Sequence, residues 1–198
     1  MGSGHGTGVF FTFLAIVLGV IATVTHHWLD MNGDYTVSHN TVKVGLFETC
    51  SSQSLTGSSG CDINTDIGNP DDKICGDHTV GQMRQYFRAM QAFTIAAVVF
   101  ALVAFIFGFA RGCAKRRFTT PSVFEGTFTT LACIFSIITW ALFLHFTLEW
   151  YGCGQSYCSV AGQGANNFSC GYNYSFALAV ASSGFLLLSA AIFFATGE

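Results

Sequence analysis

The sequence predicts a membrane all-α four-helix bundle, with four transmembrane helices and a small extracellular antiparallel β-sheet. Three observations predict it. The chain of 198 residues is 51% hydrophobic and only 10% charged, with a mean hydropathy of +0.49, whereas a soluble domain carries about 25% charged residues. Four apolar runs are long enough to cross hydrocarbon, which takes roughly 20 residues of helix because every backbone amide must be satisfied within the segment. Six of the 8 cysteines fall in the two segments that the charge pattern places outside the cell.

The first span covers about residues 9–25 (VFFTFLAIVLGVIATVT) and contains no ionisable side chain. A cleaved signal peptide is the competing reading, but the leader MGSGHGTG has neither Lys nor Arg and no clear small-x-small cleavage site, so an uncleaved span is expected. The leader also departs from the myristoylation pattern, with Gly6 where Ser or Thr is required. The other spans cover about 89–110, 127–148 and 174–196, and the whole chain, 1–198, reads as a single four-span domain.

Orientation follows from Lys and Arg in short loops. The connection 111–126 holds Arg111, Lys115, Arg116 and Arg117, half of the 8 basic residues, and so is assigned to the cytoplasm together with both termini. The segments 26–88 and 149–173 then face outward, as expected of a multi-pass protein of the plasma membrane. Redox chemistry agrees independently: Cys50, Cys61, Cys75, Cys153, Cys158 and Cys170 lie in those segments, where disulfides persist. Cys50 with Cys61 is the closest pair in the first loop. Cys153 is expected to join Cys158 or Cys170, and connectivity beyond Cys50–Cys61 stays open. Cys133, within the third span, reads as a small buried hydrophobe. Cys113, beside the membrane in the basic loop, is a candidate for S-palmitoylation or a plain reduced thiol.

The segment 26–88 changes character along its length. Residues 35–47 (YTVSHNTVKVGLF) are β-branched or aromatic, with Ser38-His39-Asn40 placed where a turn would reverse the chain. From 51 to 77 the composition shifts to Ser, Gly, Asn and Asp, which predicts a mobile loop held at its base by a bridge. A strand ending in Cys50 and bridged to Cys61 would lock a sheet with little core of its own, a crosslink worth about 3 kcal/mol in the chain-entropy model.

A net charge of -3 is small and of the wrong sign for nucleic acid, which needs clustered cations. Catalysis finds no support either. There is no Cys-x-x-Cys pair, Gly-x-Ser-x-Gly elbow, His-Glu-x-x-His pair or phosphate-cradling glycine loop, and no cofactor or metal is expected. His145 and Glu149 share a helical face near the outer end of the third span and read as an interfacial hydrogen-bonded pair before a metal site. His26-His27 beside Trp28 reads as interfacial anchoring. Asn167-Phe168-Ser169 is an outward sequon, and Asn173-Tyr174-Ser175 is another that lies close to the bilayer. The outer acidic residues, among them Asp30, Asp34, Glu48, Asp62 and Asp66, read as a solvated surface, with a cation-favouring lining as the alternative. Small residues at four-residue spacing, Ala15 with Gly19, Ala97 with Ala101 and Ser175 with Ala179, predict close helix approach.

Trp28, then Gly45-Leu46-Phe47, then Cys50 and Cys61 resemble the first-loop signature of the claudin and peripheral myelin protein superfamily. Phe47 departs from it, standing where that superfamily has Trp. Arg88, within FRAMQAFTIAAVVFALVAFIFG, is similar to the Arg at the outer boundary of the second span of claudins. That stretch and the fourth span also resemble the amastins, four-span surface proteins of kinetoplastid parasites, but the cysteine pattern favours the claudin-like reading. The resemblance implies a non-enzymatic tetraspan protein in which Trp28 packs the sheet against the outer end of the bundle. It implies work through surfaces: adhesion, junction or barrier formation, or an accessory role in a larger channel or transporter complex. The implied partners are the lipid bilayer and other membrane proteins. The short tail TGE lacks the apolar terminal residue that scaffold domains capture in junctional claudins, which favours the accessory role.

Overall fold

A computed structural model describes residues 3–35, 38–53, 59–113, 122–150, 154–163 and 167–196. In chain order its helices are α1 (Ser3–Val24), α2 (Val80–Cys113), α3 (Ser122–His145, continued by a π-helical turn over Phe146–Trp150), the short α4 (Tyr157–Ala161) and α5 (Tyr174–Ala195). Four of them, α1, α2, α3 with its π turn, and α5, are long and apolar enough to cross a membrane, so the four-span expectation holds.

Helix α2 starts well before the apolar run at Ala89, and the reason is local. Thr79 and Gln82 form a reciprocal cap: the Gln82 amide donates to Thr79 Oγ1 (3.4 Å) and the Thr79 amide donates to Gln82 Oε1 (3.2 Å). The stretch Thr79-Val80-Gly81-Gln82 is a capping box, and its reciprocal hydrogen bonds set the start of a helix whatever the hydropathy that follows. Likewise, Ser122 to Gly126, assigned from sequence to the basic loop, are the first residues of α3.

The chain divides into two compact units, residues 1–21, 92–138 and 178–198 forming one and residues 22–91 and 139–177 the other. In the first, a core of Ala15, Ala101, Ala132, Cys133 and Leu186 draws on all four long helices, with Ile16, Phe100 and Phe185 packed against it. Small residues let these helices approach closely, and hydroxyls bond across the contacts, as expected where lipid removes the hydrophobic drive between helices. Thr12 Oγ1 and Ser189 Oγ lie 2.7 Å apart, Ser182 Oγ donates to the Ala15 carbonyl (2.8 Å), and Ser136 and Ser183 hydroxyls lie 2.8 Å apart. Glu125 is 0% exposed, 3.5 Å from His5 Nδ1 and 3.8 Å from Arg111 Nη1.

The second unit holds strands β1 (Leu29–Tyr35), β2 (Ser38–Val44), β3 (Glu48–Gln53), β4 (Ser59–Ile63), the short pair β5 (Lys73–Cys75) and β6 (His78–Thr79), and β7 (Asn167–Tyr172). The main sheet is five-stranded in the order β4-β3-β2-β1-β7, antiparallel throughout. Alternation sets its faces: Leu29 and Met31, with Val44 opposite Leu29, are buried, while Asn32, between Met31 and Gly33, is exposed. Two expectations are corrected. Ser38-His39-Asn40 are not a turn; they lie in β2, opposite Tyr35, Asp34 and Gly33, because backbone pairing admits polar side chains wherever one face meets water. The ends of the Ser-rich stretch between Cys50 and Cys61 are strand in place of the expected mobile loop: Ser51 and Ser52 pair with Gly60 and Ser59, while residues 54–58 lie outside the described ones. The segment 149–173 adds β7 to the sheet edge beside β1.

Candidate functional site

The stretch Val44-Gly45-Leu46-Phe47, where β2 passes into β3, organises the second unit. Gly45 admits no side chain, since a Cβ there would stand 2.6 Å from His26 Cα and 3.0 Å from the Glu48 carbonyl oxygen. That close approach lets the Gly45 amide donate to the Glu48 carbonyl (2.9 Å) and the Trp28 amide donate to the Val44 carbonyl (3.0 Å). Leu46 is fully buried. Phe47 is half-buried and lines an open groove of about 350 Å³ with residues 23–26 and Glu48.

The backbone carbonyls of this stretch need partners, and one residue unnoticed in the sequence supplies most of them. Buried Asn64 donates from Nδ2 to the carbonyls of Gly45 (2.9 Å) and Leu46 (3.1 Å), its amide donates to the Phe47 carbonyl (2.9 Å), and its Oδ1 accepts from Thr49 Oγ1 (2.7 Å). Gln91 adds a second donor to the Leu46 carbonyl (3.1 Å). A buried carbonyl left unpaired is costly, so Asn64 holds the Gly45-Leu46-Phe47 corner. The signal was present only as a lone Asn after Cys61-Asp62-Ile63, with no spacing to distinguish it.

Trp28 is 1% exposed. Its indole Nε1 donates to the Ala22 carbonyl (2.7 Å), and its ring meets Phe143 and Phe176 edge-on, with centroids 5.0 and 5.9 Å apart, a favoured geometry for aromatic pairs. Around it, His27 and Asn173 both bond the Asp30 carboxylate, the Asn173 amide donates to the Trp28 carbonyl (3.2 Å) and the Ser175 amide to the His27 carbonyl (3.2 Å). The Asn173 sequon nitrogen is therefore engaged. Asn167 stands exposed at the start of β7.

Cys50 and Cys61 sit directly opposite each other across β3 and β4 and are joined by a disulfide. Cys158 is joined to Cys170, tying α4 to β7 and correcting the expectation that Cys153 would pair with one of them. A cysteine in a helix beside the sheet edge and another on that edge face each other, which nearness in sequence does not report. Cys153 lies outside the described residues, as do the side chains of Cys75, at the end of β5, and Cys113, the last residue of α2. Cys133 is buried with a free thiol. Arg88 is exposed on α2. One turn earlier, Arg84 ties the segment between α1 and α2 down through the carbonyls of Ile67 and Gly68.

The residues weighed for chemistry are placed as follows. His145 Nδ1 and a Glu149 carboxylate oxygen lie 3.3 Å apart, with side chains 48% and 72% exposed. His26 and His27 stack at 4.9 Å, and His27 meets the ring of Tyr174 at 4.8 Å. Glu48, Cys50 and Cys61 bring ligand-type atoms within 4.8 Å of one another, but both sulfurs are in the disulfide and have no thiolate to offer a metal. The carboxylates of Glu48, Asp62, Asp66, Asp71, Asp72 and Asp77, between α1 and α2, are all exposed.

No curated protein matches the chain. A family model described as PMP-22/EMP/MP20/Claudin tight junction matches residues 13–195, from the middle of α1 to the end of α5 and through every residue of the sheet. Four membrane-crossing helices, an antiparallel sheet between the first and second of them, and a match that runs nearly end to end lead to one conclusion: this chain belongs to the PMP-22/EMP/MP20/claudin family of four-span membrane proteins.

Proposed function

We propose that this family member works without catalysis, presenting its extracellular sheet to a neighbouring membrane as an adhesive or barrier element of a cell junction in the plasma membrane. One observation carries this reading: the sheet is fastened from its inner face and stapled on its outer one. The Cys158–Cys170 disulfide, the Asn64 hydrogen bonds and the Trp28 cluster hold the inner face, and the Cys50–Cys61 disulfide joins β3 to β4 on the opposite face, where Asn32, Ser52 and Ser59 stay exposed. A rigid exposed face loses little conformational entropy on meeting a partner, the condition for useful affinity from a modest area. In this orientation both termini and the connection 111–126 are cytoplasmic.

A second reading, an accessory subunit of a larger membrane complex, is favoured by exposed phenylalanines on the spans, Phe10, Phe13, Phe109 and Phe194, which suit lateral contact as well as lipid. Expression in cells that lack junctions separates the two. Continuous contacts enriched in this protein support the adhesive role; a stoichiometric unrelated partner in mild detergent, with no contact enrichment, supports the accessory one.

A further inference from the structure

The second unit contains a partly enclosed cavity of about 180 Å³. Its wall includes Leu29, Val44, Met83, Phe87 and Phe146, all buried. No charged side chain lines it, and its lining side chains carry three polar groups, the hydroxyls of Thr49, Thr147 and Tyr157. Two of these are engaged elsewhere: Thr49 Oγ1 donates to Asn64 Oδ1 (2.7 Å), and Thr147 Oγ1 donates to the Phe143 carbonyl (2.9 Å) and lies 2.8 Å from the Tyr172 hydroxyl.

A buried water needs two to four polar partners, and Thr49 and Thr147 already give their hydroxyl hydrogens to other groups, so the largely aliphatic and aromatic wall favours an apolar guest over water. An apolar cavity of about 150 Å³ stays dry and takes up benzene-sized guests. The atoms around such a void lack dispersion partners on one side, so a guest of matching shape recovers contacts that the fold itself leaves unmade. The absence of charge excludes ions, and the volume excludes anything as large as a sterol.

We propose that this cavity is a binding site for a small uncharged apolar molecule, of the size of one aromatic ring or a short alkyl chain. The site is independent of the adhesive surface, because its lining faces away from the polar side of the sheet.

The test uses the full chain in lipid nanodiscs, labelled with ¹³C at the methionine methyls and titrated with fluorobenzene. Met83 lines the cavity and Met90, also buried, does not, so Met90 reports on partitioning of the probe into lipid. The expected result is a saturable shift of the Met83 resonance, with a plateau at one molecule per chain, while Met90 drifts linearly. Ile67 also lines the cavity, and Val44→Phe and Ile67→Phe should each fill the void with a ring and abolish the plateau. A Met83 shift that merely follows Met90 in the wild-type chain would overturn the proposal, and this arm needs no variant to fold. A plateau that survives in either filled variant would overturn it equally.

Discussion

The two units meet the same requirement, pairing polar groups inside the fold, by opposite means, and each leaves exceptions: the Glu125 carboxylate oxygens in the first and Asp30 Oδ1 in the second make no hydrogen bond among the described residues. In the first, the backbone satisfies itself within helices, so side chains decide the packing: alanines and serines at the contacts, hydroxyls bonding to carbonyls of the next helix, and Glu125 set between His5 and Arg111. In the second, strands leave backbone groups to be paired across the chain, and side chains such as Asn64 and Gln91 are drawn in to finish the corners. Covalent bonds then hold what a small core cannot. Buried charge is thus the vulnerable point of the first unit, and corner bonding and sulfur chemistry that of the second.

The largest effect should follow Arg111→Ala, which leaves a fully buried carboxylate with His5 beside it. Removing a partner from a buried charge costs about 3–5 kcal/mol; Arg111 is itself 31% exposed and 3.8 Å away, which puts the loss at the low end of that range, read in thermal unfolding of the detergent-solubilised chain. A change under about 1 kcal/mol would mean that Glu125 is held as the neutral acid or by another partner, and would remove charge from the contrast between the units. Next comes the double Ser variant of Cys50 and Cys61, expected to lose about 3 kcal/mol in the second unit alone. The spans should insert normally and surface biotinylation should fall; normal trafficking with an intact outer segment would contradict the locking role. Asn64→Ala should cost about 2 kcal/mol through the carbonyls it leaves unpaired, read as faster proteolysis of residues 26–88 with the first unit unchanged. The smallest is Asn167→Gln, which should change stability by under about 0.5 kcal/mol. If Asn167 faces the exterior as proposed, it should also remove a glycosidase-sensitive shift on gels; no such shift in the wild-type chain would leave the sequon unused.

Legibility followed the range of the underlying forces. The four spans could be read because hydrocarbon imposes a length and a composition on each segment by itself. The extent of α2 could not be read from hydropathy, since Thr79 and Gln82 start it by local hydrogen bonding. Trp28, Gly45 and Leu46 stood out through their resemblance to a known signature, but their bonding partner Asn64 did not, because an isolated Asn has no periodicity. Glu125 looked like part of a basic loop. Its burial depends on residues far away in the chain, His5 and Arg111.

By itself, then, the sequence determined how many helices cross the membrane, that a cysteine-rich sheet accompanies them, and which family's signature the chain bears, since these rest on composition, spacing and local pairing. Only the tertiary structure decided which cysteine meets Cys170, that β7 joins the edge beside β1, and where a carboxylate or a cavity is enclosed. Those depend on which distant surfaces close upon one another, and short-range chemistry along a chain has no term for that.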